Sequence, residues 1–270
     1  MNNLADFHTH SSFSSDSDAS PEENIIAALS CGLPGICFTD HNDFDFPPEN
    51  GKSVFQLNYE NYITKLAVLK EKYSSQIPVY IGVEQGLCSS AAERINSYDS
   101  AHALDFIIGS SHMVYGQDPY YTEFWEGRSP REVITDYYES ILENLKSCSN
   151  FDVYGHLDYI ARYIPDKSYV YDYADFREIT DEILKRIIEL GKGIEINTAG
   201  LRSPLSAPNP CAFVVERYRR LGGEIITVGS DAHESKYIAS GFDTAYEILK
   251  ASGFGYYTIF RERTPVFIKL

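Results

Sequence analysis

Asp6-Phe7-His8-Thr9-His10, continued by Ser11-Ser12-Phe13-Ser14-Ser15-Asp16, is the stretch from which the rest of the chain is read. Residues 4–10 read as a short strand, and residues two apart on a strand project from the same face. His8 and His10 therefore converge. Two neutral imidazoles aimed at one spot suit a first-row divalent metal, and a loop could fold Asp16 back as an oxygen ligand. A lone His-x-His also arises by chance, so the reading depends on whether ligands recur at equivalent places.

They recur along the whole chain. Six of the seven histidines, His8, His10, His41, His112, His156 and His233, sit at or just past the C-terminal end of an apolar segment. Residues 35–39 form a buried-type strand delivering Asp40 and His41, and residues 79–83 run into Glu84. Residues 106–109 lead to His112, 153–155 to His156 and Asp158, and 224–228 to Asp231 and His233. Residues 193–197 form a sixth strand that enters the loop Thr198-Ala199-Gly200-Leu201-Arg202.

Helical patterns separate these strands. Ser20 before Pro21-Glu22-Glu23 supplies a cap, a proline at the first helical position and acids in the first turn. The spacing predicts further helices over 59–73, 91–98, 129–146, 175–190 and 210–221, the one after Ser129 opening with a capping-box glutamate at Glu132. Residues 43–53 read as loop by their prolines. The aromatic connection 113–128 is long enough to act as a lid or wall over a site, and a second one covers 159–173. Residues 256–260 and 264–268 read as a terminal strand pair.

Seven strand-then-helix units in series argue for a parallel sheet covered by helices. In an open sheet the strand ends spread along a line and cannot all reach one ligand. Closure into a barrel brings every C-terminal end around one mouth. Gathered there, His8, His10, Asp16, His41, Glu84, His112, His156, Asp231 and His233 are too many for one ion, which implies two or three bridged metals. His102 lies in mid-connection and reads as a structural or surface residue.

At 270 residues with 43% hydrophobic residues, one domain over 1–270 with a substantial core is expected. The net charge of −16 excludes a duplex nucleic-acid partner and favours a small substrate carrying positive charge. Bound metal would offset part of that acidity. The five cysteines lack C-x-x-C spacing and read as free thiols of a reducing compartment. With no signal peptide and no apolar run near the ~20 residues of a membrane helix, a cytoplasmic protein without membrane contact is expected. Oligomeric state is left open.

Asp6-Phe-His-Thr-His10, Thr39-Asp-His41, Glu84, Gly109-Ser-Ser-His112, Gly155-His-Leu-Asp158 and Gly229-Ser-Asp-Ala-His233 resemble, in order, the motifs of the polymerase and histidinol phosphatase (PHP) superfamily. His10-Ser-Ser-Phe-Ser-Ser-Asp16, Gly155-His-Leu-Asp-Tyr-Ile-Ala-Arg162 and Glu195-Ile-Asn-Thr-Ala-Gly-Leu-Arg202 are most similar to its histidinol-phosphate phosphatase branch. The resemblance implies a distorted (β/α)7 barrel with a trinuclear centre of manganese, iron or zinc. Some relatives carry histidine where this chain has Asp16.

It further implies hydrolysis of a phosphomonoester, L-histidinol phosphate, by a metal-bridging hydroxide. Glu84 is expected to bridge ions, and Asp231 and His233 to complete the coordination and move protons. Arg162 and Arg202 suit two-donor recognition of phosphate oxygens. Asp6, Asp40, Asp158 and Asn197 are expected to orient imidazoles, with Glu195 facing inward beside Asn197. The aromatic and acidic connections could hold the imidazole and ammonium of histidinol. The alternatives are another phosphoesterase of the superfamily, acting on phosphotyrosine, nucleotides or oligonucleotide ends, or a metal-binding accessory domain without turnover.

Overall fold

Parallel strands buried on both faces read as continuous apolar runs, and the runs of this chain pair accordingly. In a computed structural model describing residues 3–48, 53–98, 104–166 and 168–270, β1 (Ile36–Phe38) lies against β3 (Val79–Gly86), every residue of which is buried. β2 (His41–Asn42) continues that pairing, setting His41 opposite Glu84. β4 (Phe106–Ser110), β5 (Val153–Tyr154), β6 (Gly193–Asn197) and β7 (Ile226–Gly229) then follow in order, each parallel to the last. His102 lies outside the described residues.

Residues 4–10 close the ring. On one side the Asp6 carbonyl accepts from Cys37 N–H at 2.8 Å and the Thr9 carbonyl from Thr39 N–H at 2.9 Å. On the other, Phe7 N–H donates to the Val228 carbonyl at 2.9 Å and Asp231 N–H to the His8 carbonyl at 2.8 Å. The sheet therefore curls into the distorted barrel of seven strand positions that the ligand pattern demands.

The regular strand expected over residues 4–10 is reduced to isolated bridges, Asp6 with Ile36 and Thr9 with Ala232. The ladder slips by one residue on both edges: Asp6 and Thr9 meet Cys37 and Thr39, three steps against two, and Phe7 and His10 meet Val228 and Ala232, three steps against four, a bulge that holds Asp231 at φ 52°. Gly229 permits the close approach here, because a Cβ on it would stand 2.2 Å from that of His8.

The helices on the outside follow their caps. α1 (Pro21–Ser30) and α4 (Pro130–Ser147) open with complete capping boxes, Ser20 with Glu23 and Ser129 with Glu132. α2 (Tyr59–Tyr73), α3 (Ala92–Tyr98), α5 (Arg177–Glu189) and α6 (Ala212–Arg220) fall where the spacing predicts. α7 (Phe242–Ala251) is not anticipated. It starts at Gly241, at φ 79° with no side-chain cap, so the usual start signal is missing although Phe242, Ala245 and Leu249 form a buried helical face.

The antiparallel hairpin of β8 (Tyr256–Arg261) and β9 (Thr264–Lys269) covers the opposite end of the barrel. Its turn reaches the strand starts, where Arg263 Nε donates to Asp152 Oδ2 at 2.6 Å and Glu262 N–H to Asp105 Oδ1 at 3.2 Å. Toward this end Phe106 packs between Phe7 and Phe260, with ring centroids 5.4 and 5.0 Å away. Among the described residues, no helix is long and apolar enough to cross a membrane.

Candidate metal centre

The nine side chains expected to gather do meet, at the C-terminal ends of the strands. His8 and His10, on the same face of the closing segment, bring their Nε2 atoms to 3.1 Å. Glu84 stands at the middle, fully buried near the end of β3. Its Oε2 lies 3.2 Å from His8 Nε2, 3.4 Å from His10 Nε2 and 3.1 Å from His41 Nδ1. Its Oε1 faces the other way, 2.8 Å from His156 Nε2 and 3.2 Å from His112 Nε2, and accepts from Ser110 Oγ at 2.7 Å.

Asp231 and His233 complete the ring from the bulge after β7. Asp231 Oδ1 is 3.4 Å from His10 Nε2 and 3.5 Å from His233 Nδ1. The serine-rich loop returns Asp16 to 3.1 Å from His233 Nε2 and 3.7 Å from His41 Nε2. Asp231 adopts its left-handed backbone as a non-glycine residue, a local strain that aims its carboxylate at the cluster.

Two carboxylates in contact with these groups lie outside the ligands and orienters that the sequence predicts. Asp43 Oδ1 is 2.7 Å from His112 Nδ1, and its Oδ2 is 3.6 Å from His41 Nδ1. The signal existed: Asp43 follows His41 by two, the spacing that joins His8 to His10, but prolines after it read as loop. Glu195, expected only to face inward, holds His8 Nδ1 at 2.6 Å and also accepts from Asn197 Nδ2 at 3.2 Å.

Three expected orienters do something else. Asp6 accepts from the backbone N–H groups of Ser230 and Ala239, pinning the segment after β7. Asp158 accepts from Asn209 and the Cys211 N–H, joining two loops. Asp40 acts at one remove, accepting from Ser14 Oγ, which lies 3.1 Å from His10 Nδ1. Asp6 and Asp158 lie two residues from His8 and His156, and Asp40 adjoins His41, yet buried backbone N–H and hydroxyl groups take up their carboxylates. Asn197 does approach His8, at 3.5 Å, and donates to Asp231 Oδ2 at 3.1 Å.

Burial would lower His8, His41, His112 and His233, but the neighbouring carboxylates raise all four, so imidazole and carboxylate charges balance one another across the cluster. Burial, with His233 and His41 nearby, pushes His10 down to about 3, leaving its lone pair free. Burial would raise Glu84 and Asp231, but the surrounding imidazoles hold both well below the ordinary carboxylate range. Buried Glu84 Oε2, Asp43 Oδ2, His41 Nδ1 and His156 Nδ1 have no hydrogen-bond partner. Atoms 3.1 Å apart that do not hydrogen-bond, such as Glu84 Oε2 and His41 Nδ1, are arranged for a shared electrophile. Five triplets of these side chains bring ligand atoms within 4.8 Å of one another, and a mixed nitrogen and oxygen set of this kind suits zinc, manganese or iron.

A cavity of about 360 Å³ opens over the cluster, walled by Tyr120, Tyr121, Tyr159 and Tyr163 from the two aromatic connections. Arg162 forms part of the wall: its Nε donates to Asn209 Oδ1 at 2.7 Å, Nη2 to Asn197 Oδ1 at 2.9 Å and Nη1 to Asp231 Oδ2 at 3.3 Å. Arg202 stands behind Asp231 and not in the cavity wall. Its Nη2 donates to the carbonyls of Ser230 and Asp231 at 2.9 and 3.1 Å, while its buried Nη1 has no acceptor.

The PHP domain family model matches residues 6–199. The histidinol-phosphatase of Lactococcus lactis is 32% identical over 250 residues, 92% of this chain and 91% of that protein. A probable histidinol-phosphatase of Thermotoga maritima is 32% identical over 259 residues, 95% of each chain. The crystal structure of the Lactococcus lactis histidinol phosphate phosphatase with zinc, L-histidinol and phosphate superposes with a TM-score of 0.91 at 31% identity, covering 98% of this chain and 99% of that one. A putative histidinol phosphatase from Listeria monocytogenes, 19% identical, shares the fold with a TM-score of 0.77 over 89% of this chain and 99% of that one. A metal-competent cluster on a closed parallel barrel, a domain match through most of its strands and relatives aligned end to end agree: the chain belongs to the PHP domain family.

Proposed function

We propose that this chain is a metal-dependent phosphomonoesterase that hydrolyses L-histidinol phosphate to L-histidinol and phosphate. The observation that carries the reading is Glu84, whose two oxygens face different sets of imidazoles beneath a cavity that also holds Arg162. The similarity to the Lactococcus lactis enzyme, which has been crystallised with zinc, L-histidinol and phosphate, supports the choice of ester.

His8, His10, Asp16, His41, Glu84, His112, His156, Asp231 and His233 would hold two or three manganese, iron or zinc ions, with Asp43 as a tenth candidate beside His41 and His112. Such ions supply Lewis acidity, neutralise phosphoryl charge and acidify water. The residues provide the rest. Glu84 spans the cluster, and Glu195 fixes His8 with Nε2 inward. Arg162 keeps one N–H on each terminal nitrogen beyond its bonds to Asn197 and Asp231, a planar pair for two phosphoryl oxygens. Arg202, outside the cavity wall, holds the Ser230 and Asp231 carbonyls and so fixes the segment that carries Asp231. Asp231 takes the proton of the attacking water at its carboxylate and gives it to the departing alkoxide oxygen, with His233, held by Asp16, 3.5 Å from its Oδ1.

Metal-loaded protein assayed against a panel of phosphomonoesters tests this. The highest kcat/KM is expected for L-histidinol phosphate. Preference for phosphotyrosine or a nucleotide would move the chain to another phosphoesterase, and absence of turnover on every ester would leave it a metal-binding domain.

A further inference from the structure

Five carboxylates line the cavity: Asp16, Asp43, Glu84, Asp118 and Asp231. Four have a cationic or imidazole partner. Asp16 has His233 at 3.1 Å, Asp43 has His112 at 2.7 Å, Glu84 has His156 at 2.8 Å and Asp231 has Arg162 at 3.3 Å. Asp118 has none among the described residues; its Oδ1 accepts only the Tyr120 N–H, at 2.8 Å. Burial raises its pKa, against the Tyr120 N–H and the more distant His112, which both pull it down.

The turn that carries Asp118 is held rigidly. Trp125 is buried and its Nε1 donates to the Pro119 carbonyl at 2.8 Å, while Val114 and Gln117 exchange backbone hydrogen bonds on the other side. From the metal cluster to this turn runs a row of rings. Tyr159 lies 4.9 Å from His156, Tyr163 4.9 Å from Tyr159, and Tyr120 5.9 Å from Tyr163. Ring faces attract cations, and the row ends beside an unpaired carboxylate. Arg162 and the imidazole cluster thus share the cavity with a carboxylate, Asp118, that forms no ion pair among the described residues.

We propose that Asp118, with the Tyr120–Tyr163 face beside it, is the subsite for a positively charged group on the leaving alcohol. The inference rests on the phosphatase reading above and deepens it. An ester with phosphate at one end and an ammonium or protonated ring at the other enters in a single orientation, phosphate toward Arg162. A neutral ester has no use for the subsite.

Asp118→Asn tests this in the metal-loaded full chain. Asparagine keeps an oxygen for the Tyr120 N–H, so the turn is retained while the charge is lost. The quantity read is the ratio of kcat/KM for L-histidinol phosphate to that for p-nitrophenyl phosphate, which carries no cation; both rates scale with the folded fraction, so the ratio is insensitive to it. A fall of about 30-fold relative to the parent chain is expected, the size of one lost charge pair in a partly buried setting, with part of it regained in Asp118→Glu. A ratio that stays within about threefold would remove Asp118 from leaving-group recognition while the phosphatase reading stands. A parent chain without preference for L-histidinol phosphate over the neutral ester would overturn both.

Discussion

At the starts of the barrel strands, Asp105 accepts from Ile81 N–H, Lys70 Nζ and Glu262 N–H, and Asp152 from Ile107 N–H and Arg263 Nε. At their far ends, Glu84 and Asp43 are just as buried, yet each keeps an oxygen with no hydrogen bond. Aspartate and glutamate thus serve two purposes in one barrel. Saturated in that none of their buried oxygens lacks a partner, the carboxylates of Asp105 and Asp152 tie the hairpin turn to the strand starts. Unsaturated ones crowd against imidazoles at a cost that an incoming cation offsets. The contrast separates stability from chemistry within a single closed sheet, as barrel enzymes do generally.

Replacing Glu84 strikes the unsaturated end at its centre. Glu84→Gln keeps the shape but removes the charge shared by five imidazoles, so kcat should fall by about a thousandfold or more and the metal content per chain should drop. Elemental analysis and single-turnover rates check it, and a variant retaining parental rate and metal would break the comparison.

Arg162→Ala is the next largest change. It removes two donors from the cavity wall without touching an imidazole, so KM should rise about 30-fold while metal content stays at the parental value. Steady-state kinetics with elemental analysis decides it; a loss of metal would show that Arg162 holds Asp231 in place and does little for substrate.

Arg263→Ala probes the saturated end. Asp152 then loses a charged partner while 7% exposed, and unfolding should become easier by about 2 kcal/mol. Urea melts measure this directly. The kcat/KM of the folded protein should stay within about twofold, and a large kinetic effect would mean that the two ends are coupled.

How much could be read in advance follows the range of each interaction. Capping signals are local: the capping box predicted at Ser129 and Glu132 is present, and the cap predicted at Ser20 forms a box with Glu23. α7 escaped because its start at Gly241 carries no capping side chain. Asp43 escaped because local proline content outweighed a two-residue spacing from His41. Asp6, Asp40 and Asp158 were expected against imidazoles, and each is instead committed to backbone or hydroxyl donors that only the folded chain brings near. Arg162 and Arg202 follow their strands in the same way, yet one enters the cavity wall and the other stands behind Asp231.

The sequence by itself determined the strand-helix alternation, the strand ends at which imidazoles and carboxylates emerge, and hence the need for a closed sheet. These follow from short-range periodicity, which sets where a side chain points within its own element. Tertiary structure alone decided which elements meet. His8 finds Glu195 across 187 residues, Arg263 finds Asp152 across 111, and Asp231 N–H meets the His8 carbonyl where the segment after β7 closes on the N-terminal one. No local rule encodes such partners, because their contact is paid for by burial summed over the whole core.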